Sequence, residues 1–158
     1  MQPDQMTPKS VLVVEDSADD EKLMLRAIRR VNTNLNIVVA RDGVRALDFL
    51  GTQSPFDLVI CDLKLPKADG VAVLEYLRAN PRTLTTPAVI FSSSEELKEI
   101  TRCRKAGASS YVRKPVDYHD FINAVETIVK YWLGPREGVS PFCMFEVVEL
   151  RAATASES

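Results

Sequence analysis

The sequence predicts a doubly wound α/β domain: a five-stranded parallel sheet with helices on both faces, three layers in all. Three observations predict it. Five short apolar runs alternate with five segments of helical periodicity. The strand-like runs are continuous Val, Ile and Leu rather than alternating apolar and polar, the mark of strands buried on both faces. Right-handed crossovers then distribute the intervening helices over the two faces.

The elements follow in order. Residues 10–15 read as a buried strand, and residues 19–32 as a helix with Met24, Ala27, Ile28 and Val31 on one face. Ile37 to Ala40 is a second strand. Asp42 caps a helix whose inner face includes Val44, Leu47 and Leu50. Asp57 precedes a third strand, 58–61. Asp69-Gly70 opens a helix carrying Val73, Leu74 and Leu77, which ends near Asn80-Pro81. Pro87 opens a fourth strand. Glu95 to Lys105 reads as a helix with a thin stripe of Leu97 and Ile100, capped by Ser93 or Ser94 and ended by Ala106-Gly107. Ser110-Tyr111-Val112 is the fifth strand. Asp117 starts a last helix with Phe121, Ile122, Val125, Ile128, Val129 and Trp132 inward, and Gly134-Pro135 breaks it. The expected division is a leader over 1–9, one domain over 10–133 and an arm over 134–158.

Composition excludes several classes. The chain has 158 residues, 46% hydrophobic and 27% charged, with a net charge of −2. No basic face favours nucleic acid. No apolar run approaches the ~20 residues that span a bilayer. The start lacks the basic-then-apolar form of a signal peptide, and three widely spaced cysteines form no disulfide framework. A cytoplasmic protein is expected. The single histidine, His119, argues against a His-based metal site or a Ser-His-Asp triad.

The strand ends carry the chemistry. The first stops at Glu15-Asp16, the third at Asp62, the fourth at Ser92-Ser93-Ser94, and the fifth runs through Arg113 into Lys114-Pro115. In an open parallel sheet these ends line one crevice, where ligands bind. Glu15, Asp16 and Asp62 held close together repel one another, and a divalent cation relieves the repulsion. All-oxygen ligands suit Mg²⁺. With a cation bound, a carboxylate can attack phosphorus. Lys114, the Ser92 hydroxyl and backbone N–H groups are then candidate donors to the phosphoryl oxygens. Against this stand plainer readings: Asp62 as a turn residue, Lys114 as a solvated surface lysine, the serines as a helix cap, Tyr111 as a core aromatic.

Residues 10 to about 132 resemble the receiver domain of two-component response regulators, the CheY-like, flavodoxin-like fold. The pieces that match are Val11 to Asp16, Asp57 to Pro66 with Asp69-Gly70, Pro87 to Ser92, and Tyr111 to Pro115. The resemblance implies that Asp62 is the phosphoacceptor. It implies that Asp16 and Asp62 ligate Mg²⁺ directly, that Glu15 acts through water, and that the backbone carbonyl of Lys64 completes the protein ligands. Ser92 would be the switch hydroxyl, Tyr111 the switch aromatic and Lys114 the phosphate-sensing lysine. Three departures stand out: Glu15 is longer than the usual aspartate, Ser92 replaces the commoner threonine, and Lys64 stands near the path of an attacking water. The chain is also similar to single-domain regulators that partner bacterial and cyanobacterial phytochrome histidine kinases, through Glu15-Asp16-Ser17, Asp62 to Lys67, Tyr131-Trp132-Leu133 and the extension beyond.

The implied function is phosphorylation-controlled signalling by a single-domain regulator that assists its own Mg²⁺-dependent phosphorylation and dephosphorylation, rather than a conventional enzyme. The implied partner is a sensor histidine kinase of the bacteriophytochrome kind, with neither nucleic acid nor membrane as a target. A haloacid-dehalogenase-type phosphatase would want an acid at position 64, where a lysine stands. A flavodoxin-like cofactor protein would want a hydroxyl- and glycine-rich loop after the first strand, where Glu15 to Asp20 is acidic. A degenerate receiver serving only as a scaffold would not need the full acid set. Residues 141–150 hold Phe142, Met144, Phe145, Val147, Val148 and Leu150. Exposed, such a segment invites association, so a homodimer through the C-terminal arm is expected, with packing back on its own domain as the alternative.

Overall fold

The structure, a computed structural model, describes residues 7–53, 55–134 and 147–148. Five strands, β1 (Ser10–Val14), β2 (Asn36–Ala40), β3 (Leu58–Cys61), β4 (Ala88–Ser92) and β5 (Ser110–Arg113), alternate with five helices. The helices are α1 (Ala18–Val31), α2 (Gly43–Thr52), α3 (Gly70–Ala79), α4 (Leu97–Lys105) and α5 (Tyr118–Leu133). All strands are parallel, in the order β2-β1-β3-β4-β5-β6, where β6 is the two-residue strand Val147–Val148.

Alternation along each strand divides the core in two. Val11, Val13, Leu58, Ile60, Val89 and Phe91 face α1 and α5, while Leu12, Val14, Val59, Cys61 and Ile90 face α2, α3 and α4. The switch in strand order between β1 and β3 opens the crevice at the carboxyl ends of both. Side-chain caps fix where four helices begin. Ser17, Asp42, Asp69 and Asp117 each accept a backbone N–H from three residues on.

Three expectations are corrected. Val44 is 52% exposed, and Ala46 joins Leu50 on the inner face of α2 instead. Leu97 is 77% exposed; α4 packs through Ile100 and the fully buried Cys103. Leu97 is the first residue of α4, whereas Cys103 lies in its last turn. Neither Ser93 nor Ser94 is the N-cap of α4. Glu96 holds that position without a side-chain cap bond, while Ser94 Oγ accepts from Glu96 N at 3.3 Å.

The sheet gains a sixth strand that the sequence reading did not include. Val147 and Val148 pair with Tyr111 and Val112 of β5 in the same chain, as packing of the tail on its own domain requires. The rest of the proposed arm, 135–146 and 149–158, lies outside the described residues, as do residues 1–6 of the leader.

Candidate functional site

The site is built where chain segments leave the sheet. The Asp62 N–H bonds the Val14 carbonyl (2.9 Å), extending the β1–β3 ladder by one residue and bringing Asp62 beside Glu15. The Lys114 N–H bonds the Ser92 carbonyl (2.8 Å), which carries Lys114 to the same end of β5. Gly70 closes the floor. Its N–H bonds the Leu63 carbonyl (2.8 Å), and a Cβ at this position would lie 2.6 Å from the Asp62 carbonyl oxygen.

Carboxylate oxygens of Glu15, Asp16 and Asp62 lie within 4.8 Å of one another. Glu15 is buried, Asp62 half-buried and Asp16 exposed. Burial pushes the Glu15 carboxyl up to about 7, against the opposing pull of Lys114. One Asp62 oxygen, Oδ1, accepts the Leu63 N–H (2.7 Å), and the other accepts from Lys114 Nζ (3.0 Å). The same ammonium donates to Glu15 Oε1 (2.9 Å) and Asp20 Oδ2 (2.8 Å). Burial alone would lower the affinity of Lys114 for its proton, but Asp62, Asp20 and Glu15 together raise it, so this lysine stays charged.

The donor set tests whether a metal ion fits. Three hard carboxylates with only one ammonium among them leave an excess of negative charge, and an exposed member, Asp16, opens toward solvent. Such a set suits a small divalent cation bound through few protein ligands and several waters.

Beside this cluster, Asp62, Lys64, Ser92, Ser93, Ser94, Glu95 and Glu96 line a cleft of roughly 300 Å³. The Ser92 side chain is buried, its Oγ accepting the Ser94 N–H at 3.2 Å. Tyr111 is fully buried behind it and donates its hydroxyl to the Ser94 carbonyl (2.8 Å). Burial pushes the Tyr111 hydroxyl upward in pKa, with Ser92 and Ser94 opposing. The Lys64 side chain is exposed and runs to Glu99 Oε2 on α4 (3.6 Å).

The structure therefore gathers Glu15, Asp16, Asp62 and Lys114 in one cluster, with Ser92 on the adjoining cleft and Tyr111 behind it. Sequence reading missed Asp20 and Glu99. Asp20 carried a usable signal, as the third residue of a capped helix that begins within four residues of the end of β1. Glu99 carried none, because its link to Lys64 depends on how α4 lies across the cleft. Among the described residues, no helix is long and apolar enough to cross a membrane.

The sequence pattern of the response regulator receiver domain matches residues 11–126. The chain is 34% identical over 139 residues to the probable methanogenesis regulatory protein FilR2 of Methanothrix harundinacea, spanning 85% of this chain and 90% of the relative. Its structure is similar to that of the phosphorylated cyanobacterial phytochrome response regulator RcpA, with a TM-score of 0.77 at 28% identity over 81% of this chain and 96% of that one. The Mn²⁺-bound form of response regulator Rcp1 gives a TM-score of 0.74 at 30% identity, covering 84% and 98%.

Proposed function

This chain belongs to the response regulator receiver family of two-component signalling, and from that premise we propose that Asp62 accepts a phosphoryl group from a sensor histidine kinase. The observation that carries the reading is the Lys114 ammonium held 3.0 Å from Asp62 inside a three-carboxylate cluster at the strand ends. In the proposed reaction Asp62 Oδ attacks phosphorus in line. The bond from phosphorus to the donor's imidazole nitrogen breaks, and the imidazole leaves with that electron pair. Lys114 turns the donor it gives Asp62 toward a phosphoryl oxygen, and the Ser92 hydroxyl supplies a second contact from the cleft. A divalent cation, Mg²⁺ in this reading, neutralises charge on the phosphoryl oxygens when bound; Asp16, Asp62 and the Lys64 backbone carbonyl would hold it directly and Glu15 through water.

Phosphorylation then biases a surface made by α4, β5 and α5. Ser92 moves toward the phosphoryl group; the inward turn expected of Tyr111 as the switch aromatic is corrected here, since Tyr111 already lies fully buried with its hydroxyl on the Ser94 carbonyl. Similarity to RcpA, a cyanobacterial phytochrome response regulator, supports a phytochrome-type kinase as the source of the phosphoryl group, and similarity to the Mn²⁺-bound form of Rcp1 supports the divalent cation. The place of work would be the cytoplasm. We also read the tail as an arm for homodimers, in which the strand that pairs with β5 is exchanged between subunits. Light scattering checks it: the full chain should be dimeric, and a chain ending at Leu133 monomeric.

The deciding experiment is intact mass after incubation with a small phosphodonor and Mg²⁺. The protein should gain one phosphoryl group, the gain should vanish with a chelator, and Asp62→Asn should not be labelled. Equal labelling of Asp62→Asn would overturn the assignment.

A further inference from the structure

Lys114 has three N–H donors and gives each to a different carboxylate. Two of the three acceptors have other duties in the proposed function. Asp62 becomes an acyl phosphate, and Glu15 lies in the carboxylate cluster. The third, Asp20, has no other role in that chemistry. It also makes the shortest of the three contacts, at 2.8 Å, and approaches from a separate element, the first turn of α1.

The local geometry frees Asp20 for this contact. Asp20 stands three residues after the N-cap Ser17, where an acidic side chain commonly reaches back to the N-cap N–H. Here that N–H is taken by Glu15 Oε2 at 3.1 Å. The Ser17 side chain still receives the Asp20 N–H (3.2 Å), so α1 remains capped. The Asp20 carboxylate is thereby released from the helix end and reaches Lys114 across 94 positions of sequence. The lysine needs such a restraint. Its side chain is 9% exposed, and its head is a compact charge on a flexible four-carbon stem with three rotatable donors.

We propose, on the basis of the Asp62 phosphoacceptor reading, that Asp20 is a positioning residue. It holds one N–H of Lys114 before and after phosphoryl transfer, so that the remaining donors stay aimed at Asp62 and the group it carries. Asp20 touches neither the phosphoryl group nor the reacting carboxylate; it acts through the lysine.

The test is a double-mutant cycle read by binding of a phosphoryl mimic. Beryllofluoride with saturating Mg²⁺ is titrated against the full chain and followed by ¹⁹F NMR. Asp20→Ala should weaken binding roughly tenfold, the scale of one charge-assisted hydrogen bond. Asp20→Asn keeps an acceptor oxygen and should recover most of that loss. In a Lys114→Ala background, Asp20→Ala should have no further effect, because the group through which it acts is gone. Wild-type affinity in Asp20→Ala would overturn the proposal, and so would an equal loss in both backgrounds. If Asp20→Ala fails to fold, the same cycle with Asp20→Asn decides between the outcomes, with a smaller loss expected only where Lys114 is present. If the unsubstituted protein fails to bind the mimic, or Asp62→Asn binds it unchanged, the phosphoacceptor reading itself fails.

Discussion

Gly70 shows how a single residue type sets the geometry of the crevice. Its missing side chain leaves room for the backbone of Asp62, since a Cβ there would stand 2.6 Å from the Asp62 carbonyl oxygen and 3.0 Å from Leu63 Cα. Backbone cannot yield as a flexible side-chain tip would. Gly70→Ala is expected to cost about 1–3 kcal/mol by overpacking and to displace Asp62 relative to Lys114. Urea denaturation should show the first effect, and the rate of labelling by a small phosphodonor the second. Labelling at the normal rate would mean that α3 shifts instead of the strand end. The Asp69-Gly70 pair was visible in the sequence as a helix start, but its contact with Asp62 was not, because it depends on α3 folding back beneath the end of β3.

At the scale of elements, caps and burial make separate predictions. Asp42 begins α2 by accepting the Arg45 N–H at 2.7 Å, and this bond, with Lys67 nearby, holds its carboxyl below the usual 3.8. A lowered pKa means that the cap contributes fully above the unfolded value and is lost as pH falls through the folded one. Asp42→Asn has no charge to lose. The stability gap between the two proteins should therefore shrink in urea titrations as pH falls through 3.8 and below. Burial separates two leucines that look alike in sequence. Leu77→Ala, at a fully buried position of α3, should cost about 2–5 kcal/mol. Leu97→Ser should stay within about 0.5 kcal/mol, because that side chain is 77% exposed.

The same elements show how far sequence reading reaches. All five strands and five helices were legible, because continuous apolar runs and 3.6-residue stripes survive in sequence. All six inward residues expected for α5, from Phe121 to Trp132, are buried. Val44 and Leu97 misled because each stands in the first turn of its helix, where the apolar stripe can run past the sheet it covers. The acids, Asp62 and Lys114 were legible as candidates because strand ends converge in any open parallel sheet. Glu99 was not, because it reaches Lys64 from a helix turn whose placement is tertiary; Asp20 was within reach of the same argument, since it stands in the first turn of a capped helix just past the end of β1.

Charge concentrates at one pole of the sheet, and stability should follow. Glu15, Asp16, Asp20 and Asp62 gather at the carboxyl ends of the strands, with Lys114 as the cation inside the cluster. A cation bound there stabilises the folded state by mass action. Mg²⁺ at about one hundred times its Kd should raise unfolding free energy by about 2.7 kcal/mol. A chelator should reverse the gain. Asp16→Ala should show little response to Mg²⁺, and in metal-free buffer it should match or exceed the parent stability, because one repelling charge is gone. A full Mg²⁺ response in that variant would place the ion elsewhere.

The opposite pole is pinned by Arg78. Its guanidinium donates to the carbonyls of Leu84 (3.0 Å) and Thr86 (2.8 Å) before β4, and of Gly107 (2.9 Å) just past the end of α4. Burial draws its pKa down to about 10, so it remains a cation at neutral pH. The α4 helix is thus clamped at its carboxyl end, where Cys103 is buried and Gly107 is tied down. Its other end has an exposed Leu97 and no side-chain cap. A rod held more firmly at one end than at the other moves as a lever. At about 1.5 Å per residue, α4 is roughly 13 Å long, so a swing of about 10° would carry its amino end through about 2 Å. That end carries Glu99, which accepts from Ser94 Oγ and faces Lys64 Nζ at 3.6 Å beside the cleft, so the swing works against these two contacts. Spin labels at Leu97 and at Lys105 should separate the two ends: beryllofluoride should shift distances measured to the first and leave the second in place. Arg78→Ala should loosen the fulcrum, so that both labels move.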